Sequence, residues 1–254
     1  HGYEKNNLYL FLRSKFGAEE TLRLMKDYRV GTSKHWPGSC VFWQTDINGS
    51  IRTGKVMLYD AETGKRVKEP FNHVTWVHSL LRLPDFNLRQ CFFGEHLLPM
   101  NRGKPVAIVE SEKTALVGAY YLPEYVWLAT GGKNGCFNTD ALHVLRGRQV
   151  ILYPDIGATD QWRQKLNLLR SLDIEASIFN YLEEVATDNE RTAGLDIADY
   201  LLQIEPDQAV LQTMIRKNPM LQKLIDDLQL TLVSVERYTP DTDAINKTST
   251  PSKQ

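Results

Sequence analysis

The stretch KPVAIVESEKTALVGAYYLPEYVWLATGG, residues 104–132, decides the fold of the second half of this chain. Residues 106–110 and 125–129 are short apolar runs, which are typical of strands buried on both faces of a parallel sheet. Between them, residues 112–121 have the composition of a helix that ends before a proline. The stretch therefore predicts a β–α–β unit.

The same alternation continues after residue 132. We predict a tight glycine loop, two more strands and two more helices, at residues 130–135 (loop), 138–146 (helix), 149–153 (strand), 159–172 (helix) and 175–179 (strand). Strands that alternate with helices in this way favour a parallel α/β sheet with right-handed crossovers.

The first half has a different pattern. Residues 7–28 have roughly helical apolar spacing, and residues 39–68 contain short β-prone runs around an Asn48-Gly49 pair. Asn-Gly between such runs is a strong hairpin signal, because both central residues of a type I′ turn need positive φ. We predict an antiparallel meander with strands near 40–45, 50–59 and 65–69, and leave residues 74–82 open between strand and helix.

Four segments follow from these patterns. We expect an α+β domain, an α/β domain, a helical segment interrupted near a proline, and a disordered tail that is almost free of apolar residues, at 1–103, 104–204, 205–237 and 238–254. Because the chain begins with His1 rather than Met, we expect a tag remnant or a piece of a longer protein.

Charge is distributed unevenly along the chain. Residues 1–103 contain 15 Lys and Arg against 10 Asp and Glu, and the remainder contains 15 against 21, which gives the net charge of −1. This asymmetry fits a surface for polyanions beside a site for cations, although a solvated surface would also explain it. No apolar run is long enough for a bilayer, and the three cysteines lack zinc-site spacing. We therefore expect free thiols, a cytoplasmic location and no membrane partner.

Candidate site residues lie where the predicted strands end. Glu110 ends the first strand of the α/β domain, a loop with Gly131, Gly132 and Lys133 follows the second, and Asp155 follows the third. Carboxylates at neighbouring strand ends suit Mg²⁺ or Mn²⁺, and a glycine loop with a lysine suits a phosphate. The alternative is that these acids only stabilise helix N-termini.

These residues carry a resemblance to a known family. VAIVESEKTAL (106–116), ATGGKNG (129–135) and VILYPDIGATDQW (150–162) resemble the Toprim domain of primases, topoisomerases and nucleases, and are most similar to primases of plasmids, phages and mobile elements. GLDIADYL (194–201) resembles a segment that follows the primase Toprim core. The meander is similar to the basic subdomain that precedes Toprim in such primases.

The resemblance implies roles for particular residues. Glu110 matches the glutamate that serves in acid–base chemistry or metal binding, and Asp155 matches the first aspartate of Asp-x-Asp, a metal ligand. Gly157 stands where the family has the second aspartate, so this chain lacks one expected carboxylate. Asp160 from the next helix, or Glu112, could supply a carboxylate, although neither stands at the family's position. Without such a ligand, a binding module is favoured over an enzyme.

Further candidates would contact nucleic acid. Lys113 lies one turn after Glu110, and Lys65-Arg66 lies on a predicted hairpin tip, where exposed lysines and arginines are also common for other reasons. Trp43 lies in the basic meander, where it either stacks on bases or packs against the protein.

The sequence therefore predicts a Toprim-like parallel sheet flanked by helices and preceded by an α+β domain. The leading function is that of a primase-like protein of a mobile element, which binds single-stranded or template DNA with Mg²⁺ or Mn²⁺ and transfers nucleotides to make primers. Nucleotides and a helicase are candidate partners. The alternatives are a catalytically degenerate nucleic-acid-binding module and, less favoured, a Toprim nuclease, so enzymatic activity stays open.

Overall fold

The computed structural model describes residues 2–132 and 135–232. Contacts divide the chain into one compact unit that ends at Ile204 and a second that begins at Glu205. The site described below lies wholly within the first unit.

Two helices open the first unit, α1 (Asn7–Phe16) and α2 (Ala18–Asp27). The sequence predicted one continuous helix over residues 7–28, and this was wrong. Gly17 lies between the two helices with a φ of 81°, a left-handed value that glycine adopts without steric cost, so the chain turns there.

The predicted antiparallel meander is present as four strands in the order β1 (Val30–Thr32), β2 (Cys40–Thr45), β3 (Ile51–Met57) and β4 (Val74–Trp76). The predicted hairpin between β2 and β3 is present, but its turn is not the predicted type I′ turn. Gly49 has a φ of 85° and Asn48 does not have a positive φ, and the Gly49 amide donates to the Asp46 carbonyl at 2.9 Å. Residues 65–69 do not form the predicted strand, because only a single bridge joins Tyr59 to Arg66. Residues 74–82, which the sequence left open between strand and helix, form both, because β4 leads directly into α3 (Val77–Leu81).

The second sheet has four parallel strands. It is built from β5 (Val106–Val109), α4 (Glu112–Tyr121), β6 (Val126–Ala129), α5 (Thr139–Leu142), β7 (Val150–Leu152), α6 (Thr159–Ser171) and β8 (Ala176–Ile178). The strand order is β6-β5-β7-β8, with every neighbouring pair parallel. The predicted fold class is therefore confirmed. β5 is central and fully buried, as its continuous apolar run indicates.

Three short helices, α7 (Tyr181–Val185), α8 (Asp188–Ala193) and α9 (Ile197–Leu201), complete the first unit. The segments before and after residue 103 contact each other. Phe93 forms an antiparallel bridge with Ala129, and the Tyr28 hydroxyl donates to the carbonyl oxygen of Trp127 at 3.1 Å. The division at residue 103 therefore stays a proposal about domains within one compact unit.

The second unit contains α10 (Pro206–Lys217) and α11 (Met220–Leu228), which break near Asn218 as predicted. The predicted tail at 238–254 lies outside the described residues. Within the described residues, every helix is too short or too polar to span a bilayer.

Candidate metal- and phosphate-binding site

A cleft of about 510 Å³ opens beside the carboxyl ends of β5 and β7. Its two sides carry opposite charge. Most of its cations come from β3 and the hairpin that follows it, with Lys113 from α4. Its acids come from the ends of β5 and β7, from α4 and from α9. The charged lining residues are Lys55, Lys65, Arg66, Lys68 and Lys113 against Glu110, Glu112, Asp155, Asp196 and Asp199.

Glu110 and Asp155 lie at the ends of adjacent parallel strands. Glu110 directly follows β5, which pairs in parallel with β7, and the amide of Tyr153 extends that ladder by donating to the Ile108 carbonyl. Asp155 comes two residues later. Both side chains line the cleft, and neither carboxylate forms a hydrogen bond or an ion pair within the described residues. The structure therefore brings together the two acids that the sequence singled out.

The Asp155 carboxyl group has a pKa raised to about 7 from an ordinary value of 3.8. Burial is the largest cause, and the negative charges of Asp196, Glu110 and Asp199 add to it, while Arg66 opposes the shift. Like charges confined together make each carboxylate harder to ionise. A cation between these groups would relieve that repulsion.

Asp196 and Asp199 were not selected from the sequence as site residues. Asp196 is the N-cap of α9, and its carboxylate accepts from the amides of Ala198 and Asp199 and from the Thr114 hydroxyl. Asp199 returns the capping interaction by accepting from the Asp196 amide at 3.0 Å. These two acids add negative charge to the cleft, but their oxygens are largely committed to the helix cap.

Neither of the two acids expected to compensate for Gly157 is an unpaired carboxylate of the cleft. Asp160 does not line the cleft, and its side chain is 93% exposed and pairs with Arg163. Glu112 does line it, but it forms a buried ion pair with Lys55, with 3.0 Å between Nζ and Oε2, while its Oε1 is buried without a hydrogen-bond partner among the described residues. This leaves Glu110 and Asp155 as the uncommitted carboxylates of the described cleft.

These two carboxylates fit a divalent ion that keeps much of its hydration shell. Within residues 2–132 and 135–232, no group of three or more His, Cys, Asp or Glu side chains is close enough to hold one metal ion. A metal here would be held by one or two carboxylates and would complete its shell with water and phosphate oxygens, the arrangement that Mg²⁺ favours. The donor set and the mutual repulsion at Asp155 are consistent with such an ion.

The basic side of the cleft is carried by the hairpin after β3. Lys65 and Arg66 lie there as predicted, and Lys68 joins them. Lys113, from the first turn of α4, donates to the carbonyl oxygen of Gly64 at 3.2 Å and so ties the hairpin to the parallel sheet. Lysine and arginine side chains across a cleft from carboxylates suit phosphate groups bound through a metal.

The glycine loop after β6 faces the same cleft in part. Gly132 lines it, and Gly131 has a φ of 82°. The Gly131 carbonyl oxygen accepts from Lys55 Nζ at 3.0 Å, so the buried lysine holds this loop and Glu112 together. Lys133, the predicted phosphate contact of the loop, lies outside the described residues.

A turn after β7 explains the glycine at position 157. The amide of Ala158 donates to the Asp155 carbonyl at 2.9 Å, and Gly157 occupies the third position with a φ of 84°, as type II turns require. Glu183 of α7 accepts from the Gly157 amide at 2.7 Å and pairs with Arg191. These contacts hold the pKa of Glu183 below its usual value and fix the turn that carries Asp155.

Lys165 of α6 is a further titratable group that the sequence did not indicate. Its ammonium lies 3.9 Å from the centre of the Trp162 ring and is buried without a hydrogen-bond partner among the described residues. Burial lowers the pKa of Lys165, and the charges of Glu110 and Asp155 partly offset the shift.

Trp43 is not part of this cleft. In the β2–β3 register Phe42 pairs with Lys55 and Trp43 with Gly54, so Trp43 and Lys55 lie on opposite faces of the antiparallel sheet. The structure therefore separates the predicted base-stacking residue from the acids.

The comparison with family models finds one match. Residues 6–156 match a family described as a domain of unknown function, DUF6371. The chain belongs to this family. The DUF6371 match runs from the start of α1 to just past Asp155, so it includes both sheets' site strands and both uncommitted acids. A search of curated proteins finds no match.

Solved structures similar to this DUF6371 chain are primase domains. The primase fragment of the bacteriophage T7 primase-helicase protein is 16% identical over 68% of this chain and 69% of that one, with a TM-score of 0.42. The RNA polymerase domain of Mycobacterium tuberculosis primase DnaG is 12% identical over 75% and 60%, with a TM-score of 0.43. The E. coli primase catalytic core is 15% identical over 88% and 82%, with a TM-score of 0.40.

These likenesses are distant, and this chain spans only 60% of the Mycobacterium domain. The function proposed below therefore depends on the charged residues of the cleft.

Proposed function

We propose that this chain is a primase-like Toprim protein that holds a divalent metal at Glu110 and Asp155 and binds nucleic-acid or nucleotide phosphates in the cleft. The observation that carries this proposal is the position of two uncommitted carboxylates at the ends of adjacent parallel strands, facing a basic hairpin. A site with carboxylates alone would repel phosphate, and a site that binds phosphate through lysines alone has no use for carboxylates. The two together suit phosphates that arrive with a metal ion.

Each side of the cleft has its own task in this proposal. Glu110 and Asp155 supply oxygen ligands, and the turn fixed by Glu183 keeps Asp155 in place. Lys65, Arg66 and Lys68 contact phosphate oxygens from the hairpin. A bound Mg²⁺ or Mn²⁺ would neutralise charge on the phosphates and orient them for in-line attack.

The reaction we propose is nucleotidyl transfer in primer synthesis, with single-stranded or template DNA and nucleotides as partners. The 3′-oxygen of the primer forms a bond to the α-phosphorus of the incoming nucleoside triphosphate, and the bond from that phosphorus to the departing pyrophosphate breaks. The attacking 3′-hydroxyl must lose a proton, and Glu110 is the uncommitted carboxylate at the end of the central strand that can accept it. We also propose that the protein is encoded by a mobile element and that a helicase is one of its partners.

A binding module without catalysis is the second candidate, and a specific observation favours it. Asp160 is exposed, Glu112 is paired with Lys55, and Asp196 is committed to a helix cap. Two-metal phosphoryl transfer needs more free carboxylates than Glu110 and Asp155 provide. We therefore expect weak or absent primer synthesis by the chain alone.

Mn²⁺ titration followed by electron paramagnetic resonance tests the metal site. Glu110→Gln and Asp155→Asn should each weaken Mn²⁺ binding by at least the ~10-fold that loss of even an outer-shell partner costs. Asp160→Asn, an exposed acid on α6, is the matched control and should bind as the unchanged chain does. Equal affinities in all three variants would contradict the proposed site.

Primer synthesis on a single-stranded template separates the two candidates. Template-dependent product that disappears in Glu110→Gln would establish the enzyme and exclude the degenerate module. Mn²⁺ and DNA binding without any product would establish the module instead.

A further inference from the structure

A second pocket lies away from the acidic cleft. It has a volume of about 280 Å³ and is mostly apolar. Its lining includes Met25 and Lys26 at the end of α2, Arg29 just after that helix, Trp43 of β2 and Ile51 of β3. This volume is just below the ~300–1,000 Å³ of pockets that hold drug-sized ligands, so the pocket suits one ring system rather than a larger molecule.

Trp43 lies flat against the sheet, because two glycines leave room for it. A Cβ added to Gly54 would lie 2.8 Å from Trp43 Cε3, and one added to Gly31 would lie 3.2 Å from Trp43 Nε1. The indole therefore spans from β3 to β1 with one face on the backbone. Trp43 is one of the residues that line the pocket, and none of the aromatic ring pairs among the described residues includes it.

The charged residues around the pocket are both cations. Lys26 and Arg29 are exposed and form no ion pair within the described part of the chain, and Asp27 between them pairs with Arg23. No acid among the described residues lines the pocket. A flat aromatic face with two unpaired cations at its rim is complementary to a planar ring attached to a phosphate backbone.

We propose that this pocket binds one base of a single-stranded nucleic acid, stacked on Trp43, with the neighbouring phosphates at Lys26 and Arg29. An apolar protein segment would use the aromatic face but not the two cations. The site needs neither the acids nor a metal, so it goes beyond the proposed function and shares with it only a nucleic-acid partner. It would hold a strand on the face of the antiparallel sheet opposite Lys55.

Fluorescence anisotropy with two labelled octamers tests the stacking contact. One probe is (dT)8 and the other is a fully abasic strand of the same length and charge. For (dT)8, Trp43→Ala should weaken binding roughly 5- to 150-fold, the loss expected for one stacked base. For the abasic strand, Trp43→Ala should bind as the unchanged chain does, and Trp43→Phe should recover much of the (dT)8 affinity.

Rim variants keep the test sharp if Trp43→Ala destabilises the fold. Lys26→Glu and Ile51→Glu change exposed side chains at the pocket and should weaken (dT)8 binding, while Lys15→Glu, an exposed lysine of α1 outside the pocket, is the matched charge control.

The outcomes separate this pocket from the cleft. If Trp43→Ala and the rim variants bind (dT)8 as the unchanged chain does, or if Trp43→Ala loses equal affinity for both strands, the stacking pocket is overturned and the cleft is unaffected. If the unchanged chain binds neither strand at low salt, the pocket is overturned together with the nucleic-acid partner of the proposed function. Mn²⁺ affinity, measured in Trp43→Ala, should not change.

Discussion

Lys55 and Glu112 form a buried ion pair that joins the antiparallel sheet to the parallel one. Lys55 Nζ lies 3.0 Å from Glu112 Oε2 and 3.0 Å from the Gly131 carbonyl oxygen, and the two side chains are only 10% and 1% exposed. Glu112 lies one residue after Ser111 and two after Glu110, so its pairing with Lys55 fixes the start of α4 at the edge of the acidic cleft.

Removing one partner of this pair should be costly. Lys55→Met leaves the Glu112 carboxylate buried and unpaired, which we expect to lower the free energy of unfolding by about 3–5 kcal/mol in urea titrations. The double variant Lys55→Met/Glu112→Leu removes both charges and should recover most of that loss. Arg23→Ala, which breaks an exposed pair with Glu20, should cost no more than about 1 kcal/mol. A similar small loss in Lys55→Met would contradict a structural role for the buried pair.

Asp155 should make the protein less stable at high pH. The pKa of its carboxyl group in the fold is about 7, above the ordinary 3.8, so the folded state holds the proton more tightly than the unfolded state does. Its contribution to stability is fully present below about pH 4 and is lost as pH rises through about 7. Asp155→Asn should therefore raise the free energy of unfolding at pH 8 by about 1–3 kcal/mol relative to its effect at pH 4.

Urea titrations at the two pH values measure this difference, and Asp160→Asn should show none. A destabilising Asp155→Asn at pH 8 would mean that the carboxylate has a stabilising partner. The protonation of Asp155 should also affect metal binding. Because Mn²⁺ competes with the proton of this carboxyl group, Mn²⁺ affinity should rise about tenfold per pH unit up to about pH 7.

Gly157→Asp should not restore the missing ligand. Gly157 has a φ of 84° and does not line the cleft, and a Cβ there would meet open space. We expect a loss of roughly 1 kcal/mol in stability from the left-handed backbone, with Mn²⁺ affinity unchanged. Gly49→Asp is a matched control, because Gly49 has a φ of 85° and equally open surroundings. Tighter Mn²⁺ binding in Gly157→Asp alone would show that this turn can supply a ligand.

The basic hairpin should determine how salt affects DNA binding. Each phosphate contact contributes about one to the slope of log affinity against log salt, so Lys65→Ala and Arg66→Ala should each reduce the slope by about 0.7–1. Lys15→Ala, an exposed lysine of α1 outside the cleft, should leave the slope unchanged. Anisotropy titrations with (dT)8 from low to physiological salt provide the slopes. Unchanged slopes in all three variants would remove the hairpin from the phosphate-binding surface.

Local patterns predicted the elements of the parallel sheet well. The apolar runs that contain β5 and β6, and the helix between them, are decided by burial and spacing within a few residues. Glu110 and Asp155 could be selected for the same reason, because a residue at the end of a parallel strand faces the ligand edge whatever the rest of the chain does.

Contacts between distant parts of the chain could not be predicted in this way. Asp196 and Asp199 reach the cleft from more than 80 residues after Glu110. The resemblance of residues 194–201 to a primase segment was a signal for them, but the local pattern alone does not show that they lie beside Glu110. The pairing of Lys55 with Glu112 joins two sheets with different patterns. Asp160 was selected because it lies near Asp155 in sequence, but it points into solvent from the first turn of α6 and pairs there with Arg163.

The most direct test of the account is the anomalous scattering of Mn²⁺ in crystals soaked above pH 7. We predict a single peak in the cleft within coordination distance of Glu110 or Asp155, about 2.0–2.3 Å from a carboxylate oxygen, and loss of that peak in Asp155→Asn. A peak at Asp196 or Asp199 alone, or no peak in the cleft at saturating Mn²⁺, would contradict the metal site on which the proposed function depends.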